Sequence, residues 1–190
     1  MTTRALLGLF DSAYLLALTA WVGSILFFSF GVAPVVFKVL DPASAAKFLR
    51  TLFPRYYAWG ATAGAVALPA FVGGPLSFPE YRGPMVGVQA LAILLCILVM
   101  LYAGNSLTPA INAARDAGPA GEVAFKRLHR RSVRLNAFVL VVGCLLLARF
   151  ATRPSPRTSG IVEPGPGSLT PVQAASGLMP EGAGVPSVSP

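Results

Sequence analysis

Four long apolar runs, separated by short charged or Gly/Pro-rich breaks, constrain this chain more than any other feature. They extend from about Ser12 to Phe37, Tyr57 to Leu76, Met85 to Leu107 and Leu135 to Ala148. A helix needs about 20 predominantly apolar residues to cross the hydrocarbon core of a bilayer. Three runs reach that length outright, and the fourth does once its flanking Val133 and Phe150 are included. The expected fold is therefore all-α. A polytopic four-helix transmembrane bundle should occupy residues 1–151, with an amphipathic interfacial helix, and a disordered tail should occupy 152–190.

Composition excludes the main soluble alternatives. Only 12% of the 190 residues are charged, about half the fraction of a soluble domain. The net charge of +8 raises nucleic acid as a partner, yet no basic domain with interleaved aromatics exists to act on it. The cations sit between apolar runs, where they set orientation and meet lipid headgroups. Cys96 and Cys144 form no CxxC pair and read as small buried hydrophobes. Asp11 interrupts the N-terminal apolar stretch, which favours an uncleaved first span over a signal peptide.

Along the chain, Ala13, Ala17, Ala20 and Ser24 give the first span one small face for close packing, with Gly23 and Gly31 adding to it. Pro34 suggests a kink or an exit. Asp41-Pro42 is an N-cap and first-turn pair opening an interfacial helix to Phe53, with Ala45, Phe48, Leu49 and Leu52 on one face. Tyr56, Tyr57 and Trp59 read as an aromatic belt at the membrane boundary. Gly60 and Gly64 form a G-x-x-x-G spacing, common in apolar helices and weak on its own. Thr108-Pro109 caps a new helical segment that ends at Gly118-Pro119, and Glu122 restarts a helix into the fourth span. Residues 152–190 hold eight Pro, six Gly and six Ser, too little apolar surface to offset chain entropy.

Ten of the Lys and Arg residues fall in the loops after the first and third spans, against five on the opposite side. The positive-inside rule then places both termini outside the cytoplasm, with the chain multi-pass in the cytoplasmic membrane.

Two polar stripes mark where chemistry would sit. Asn105, Thr108, Asn112 and Arg115 share one face of the third helix, and His129, Ser132, Asn136 and Gly143 share one face of the fourth. In an antiparallel hairpin the stripes meet at one boundary, with His129 and Asn136 facing Asn112 or Asn105. Polar groups at that depth need each other, water or a ligand. One reading is a pathway mouth with His129 as a titratable or ligating group. The plainer reading, hydrogen bonds that join two helices, takes precedence. A single histidine allows neither bis-His haem ligation nor a multi-His metal site within one chain. Cys96, Met100 and Cys144 offer soft sulfur to a thiophilic metal, but no further ligand is evident and packing explains them. No phosphate-binding loop, nucleophile elbow or catalytic carboxylate pair is present, so no enzyme activity and no cofactor are expected.

The blocks Trp21-Val-Gly23, Phe27-Phe28, Ala33-Pro34-Val-Val-Phe37, Leu52-Phe53-Pro54-Arg-Tyr56-Tyr57, Pro109-Ala-Ile-Asn112 and Phe125-Lys-Arg-Leu-His129-Arg-Arg-Ser132-Val-Arg-Leu-Asn136 resemble the transmembrane protein 205-like family over roughly residues 10–150. The resemblance implies a small four-helix membrane domain of unknown function, with Asn112, His129, Ser132 and Asn136 as its polar signature. A more distant likeness is to copper-resistance-D and haem-pathway membrane proteins, from which the single helix-end histidine departs. Two classes of function follow. One is a non-enzymatic membrane protein for small-solute or metal handling or for support of a membrane complex; the other is a haem- or copper-binding redox component. Expected partners are the bilayer and a second copy or another membrane protein, not nucleic acid.

Overall fold

The computed structural model describes residues 3–153. Four long helices, α1 Thr3–Val39, α2 Pro42–Ser77, α3 Pro84–Asp116 and α4 Glu122–Ala151, follow one another through short connections. Three of them, α1, α3 and α4, are long and apolar enough to cross a membrane. α2 is as long, at 36 residues, but Gly, Ala and Thr replace bulky aliphatic side chains along it. It packs between α1 and α3, and α4 closes the bundle on their other side. α2 and α4 are thus diagonal, their Cα atoms more than 8 Å apart. A helix shielded by protein on two sides needs fewer bulky apolar groups than one facing lipid. The tail expected over 152–190 lies outside the described residues except for Thr152 and Arg153.

Several expected boundaries shift. The interfacial helix is not separate, because the amphipathic stretch after Asp41 runs straight into the apolar stretch as one helix. Asp41 caps it, accepting from the N–H groups of Ala43 at 2.9 Å and Ser44 at 3.1 Å. The Ser44 side chain, then the Ser44 and Ala43 N–H groups, hold the Asp41 carboxyl below the ordinary carboxylate range. Pro54, Pro69 and Pro75 lie within α2 without ending it, as prolines are tolerated inside membrane helices. Arg82 then donates from Nε to the Pro75 carbonyl at 2.8 Å and from a terminal nitrogen to the Leu76 carbonyl at 3.2 Å, closing the α2 terminus.

Pro34 and Pro109 produce neither an exit nor a new helix. Each follows a π-helical turn, Phe27–Val32 in α1 and Ala103–Leu107 in α3, and helix continues beyond it. A proline cannot donate to the carbonyl four residues back and crowds it, and a wider turn just before the ring relieves that crowding. In α3 the Thr108 hydroxyl donates to the Ala103 carbonyl at 2.8 Å, five residues back across the turn. Between α3 and α4, Gly118 takes φ +61°, and Gly121 approaches so closely that a Cβ there would lie 1.9 Å from the Ala114 carbonyl oxygen. Only glycine fits both demands.

Candidate functional site

Four polar side chains meet across the diagonal of the bundle. Tyr56 donates its hydroxyl to Asn136 Oδ1 at 2.9 Å. Asn136 Nδ2 donates to the Tyr57 hydroxyl at 2.9 Å and to the Ser132 carbonyl at 3.3 Å. Tyr57 and Ser132 share a hydroxyl–hydroxyl bond of 2.9 Å. Tyrosine is long enough to span the gap that keeps the α2 and α4 backbones apart, which explains its use here. Tyr56, Tyr57 and Ser132 are buried and Asn136 is half-buried. Both amide hydrogens and the Tyr56 hydrogen are committed, and one hydrogen serves the Tyr57–Ser132 bond. The group therefore keeps one uncommitted hydroxyl hydrogen. Phe28 and Phe53 wall the layer, with Phe28 centred 5.1 Å from Tyr56 and Phe53 5.9 Å from Tyr57. Gly104 admits the Tyr57 stem, since a Cβ there would lie 3.0 Å from Tyr57 Cβ.

Deeper in the bundle, shape replaces hydrogen bonding. Trp21 of α1 lies across Gly60 and Gly64 of α2, with Met100 and Ile97 of α3 closing over it. A Cβ on Gly64 would come within 2.6 Å of Ile97 Cγ1 and 2.8 Å of Trp21 Cη2; on Gly60 it would meet Met100 Sδ and Trp21 Nε1 at 3.2 Å. The two glycines make room for an indole. Among the described residues, Trp21 Nε1 is the one buried side-chain nitrogen or oxygen without a hydrogen-bond partner.

The junction expected from the sequence is only partly assembled. Ser132 and Asn136 turn inward, but their partners are the two tyrosines and not Asn105 or Asn112. Asn105 is exposed and Asn112 half-buried, without side-chain bonds among the described residues. His129 is exposed and stacks on Phe125, with centroids 5.8 Å apart and planes 8° apart. The same Phe125 ring carries Arg115, whose guanidinium carbon lies 5.1 Å from its centre. The tyrosines were hidden in the sequence by their resemblance to a boundary belt; of that trio only Trp59 is exposed. Their position one helix turn before Gly60, on the face that buries Gly60 and Gly64, was the available signal. Ala17 is buried, while Ala13 and Ala20 are half-buried. Gly23 faces open space and Gly31 faces its own Phe27, so neither extends the small face.

Cys96 is buried beside Met100, whereas Cys144 is exposed on the outer face of α4. No cluster of three His, Cys, Asp or Glu side chains that could hold a metal occurs among the described residues. Asp11, the acid that interrupts the N-terminal apolar stretch, lies inside α1 and pairs with Arg153. At the opposite end Arg50 grips Asp116 through both carboxylate oxygens, at 2.6 and 3.2 Å.

Residues 16–120 match a family described as Domain of unknown function (DUF4149). No curated protein and no solved structure matches the chain.

Proposed function

The chain belongs to the DUF4149 family, whose description carries no reaction, and we propose from the geometry that it is a four-span, non-enzymatic membrane protein supporting a larger membrane assembly. The observation behind this reading is the Tyr56–Asn136–Tyr57–Ser132 group, whose members bond to one another between α2 and α4. Polar side chains spent in this way hold helices together. α2 counts as the fourth span on its length and its place inside the bundle. The sequence blocks between Trp21 and Asn136 favour a place among the transmembrane protein 205-like proteins.

The competing reading, a haem or copper redox component, has one exposed histidine and the buried pair Cys96 and Met100 to draw on. Absorption spectra and metal analysis of the full chain, purified from membranes, separate the two readings. A colourless preparation without stoichiometric metal is expected. A Soret band, or one copper per chain, would overturn the supporting role.

We also place the end carrying Asp41 and Asp116 in the cytoplasm, on the ten-to-five distribution of Lys and Arg. A reporter active only in the cytoplasm should be active when fused after Gly118 and silent when fused after Thr158. The opposite pattern reverses the orientation.

A further inference from the structure

We propose that the outward face of α4 is a binding site for the phosphate headgroup of an anionic phospholipid. Lys126, Arg127, Arg130, Arg131 and Arg134, with Val123, line a groove of about 560 Å³ on the side of α4 opposite Ser132 and Asn136. Lys126 is paired with Glu122, and the Arg131 guanidinium carbon lies 5.0 Å from the centre of the Tyr102 ring. Arg127, Arg130 and Arg134 have no carboxylate partner among the described residues.

Two observations identify the occupant as lipid. The first is continuity along α4. At about 100° per residue, Phe138, Val141 and Leu145 prolong the stripe, and they are 41%, 58% and 64% exposed. A ligand with an anionic head and an apolar tail fits such a face from end to end. A nucleic acid or an acidic peptide fits only its upper part.

The second is depth. α1 and α4 run antiparallel, with Val22 against Gly143 and Tyr14 against Phe150. Counting residue for residue from Val22, at about 1.5 Å each on both helices, Phe30 comes level with about Leu135 and Val35 with about Arg130. Phe30 is 76% exposed and Val35 59%, so apolar surface is still presented to lipid at the height of the cations. Unpaired arginines at that height require anions, and headgroup phosphates are the anions a bilayer holds there. From Arg134 to Lys126 the stripe rises about 12 Å, while the headgroup layer on one side is about 5–8 Å thick. Arg130, Arg131 and Arg134 thus meet the phosphates, and Lys126 reaches past them.

The test uses the full chain, stripped of lipid in a non-ionic detergent. It is titrated separately with phosphatidylglycerol, phosphatidylcholine of the same acyl chains, inorganic phosphate and a double-stranded oligonucleotide. Retention is read by native mass spectrometry and by the rise in Tm. Phosphatidylglycerol should bind at least about tenfold more tightly than phosphatidylcholine. A combined Arg130→Gln, Arg131→Gln, Arg134→Gln variant should lose about 100-fold of that affinity, since each cation at an anionic surface contributes roughly a fivefold factor. Its lipid-free Tm should stay near wild type.

Equal binding of the two lipids, or an unaffected triple variant, would overturn the site. Inorganic phosphate matching phosphatidylglycerol would show a free-anion site, and tighter binding of the oligonucleotide would show a nucleic-acid face; either overturns the lipid assignment. If the triple variant does not insert, wild-type protein decides. Its preference for phosphatidylglycerol should fall about tenfold between 0.1 and 1 M salt, as the screening length shrinks from about 10 to 3 Å. A preference indifferent to salt would overturn the proposal.

Discussion

The layer of Tyr56, Tyr57, Ser132 and Asn136 and the layer of Trp21, Gly60, Gly64, Ile97 and Met100 lie about one and a half helix turns apart on α2 and are built on opposite principles. In the first, helices that do not touch are joined by long side chains whose polar ends find each other. In the second, a large indole lies against two missing side chains, and its N–H is left without a partner. The difference follows position. Near a boundary, a polar group can be paired at modest cost and the pairing fixes register. Deeper, packing density does most of the joining, because lipid and helix interior are equally apolar and dispersion contacts are what remains.

The sharpest way to break this contrast is Gly64→Ala. An added Cβ at 2.6 Å from Ile97 Cγ1 and 2.8 Å from Trp21 Cη2 has no free space, and neither neighbour is the end of a flexible chain. Overpacking of this kind costs about 1–3 kcal/mol. Thermal unfolding in detergent should show a larger Tm loss for this substitution than for any other below. Gly23→Ala, whose Cβ meets nothing within 4 Å, is the control and should be neutral or slightly stabilising. Equal losses at the two glycines would mean that helix flexibility, not the seat of Trp21, is what matters.

The polar layer should respond less. Asn136→Leu removes the acceptor of Tyr56 and a donor to Tyr57. Hydrogen bonds between membrane helices average about 0.6 kcal/mol each, so the two together contribute roughly 1.2 kcal/mol and the Tm loss should be smaller than for Gly64→Ala. Tyr56→Phe removes one bond and keeps the ring against Phe28, and should cost still less. If Asn136→Leu proved more damaging than Gly64→Ala, the polar layer would be the main fastening and the contrast would invert.

How far the sequence discloses these layers differs between them. Helix starts at Asp41-Pro42 and Glu122, and the turn at Gly118, were readable because capping, charge and φ are local matters. The apolar lengths of α1, α3 and α4 were readable for the same reason. The merger of the interfacial stretch with α2 was not, because a proline such as Pro54 can either end a helix or lie within it, and its local sequence does not decide which. Nor was the use of G-x-x-x-G as a seat for Trp21: the motif states that something approaches, and only the bundle decides what. Ser132 and Asn136 stood out as polar residues on an apolar helix, but their partners on a diagonal helix left no trace in the spacing of α3 and α4.

Outside both layers, the Asp41 cap gives a smaller and pH-dependent effect. Its carboxyl is held below its ordinary range by Ser44 and Ala43, so the charged form favours the folded state. That contribution is complete above the unfolded carboxyl value of roughly 3.9 and drains away as pH falls through the lower folded value. Wild type should therefore exceed Asp41→Asn in Tm near neutrality, and the gap should close in acid. A gap that persists unchanged at pH 3 would place the effect in the uncharged hydrogen bonds alone.

The smallest expected effect belongs to His129, and it separates a fastening from a site. The imidazole is exposed one turn before Ser132, stacked on Phe125 and outside the closed group of hydrogen bonds. If the polar layer exists to join α2 to α4, His129→Gln removes a surface stack and nothing else. Tm should then match wild type, and so should any cellular phenotype restored by the wild-type gene. The contrast with Asn136→Leu gives the test its force. His129, Ser132 and Asn136 follow one another at three- and four-residue spacing along a single helix face. Were they the lining of one pathway, loss of any of the three would impair the same activity. A His129→Gln protein that folds and inserts normally yet fails to restore the phenotype would make the histidine a ligating or proton-carrying group. The tyrosine–asparagine layer would then be the floor of a site instead of a fastening between two helices.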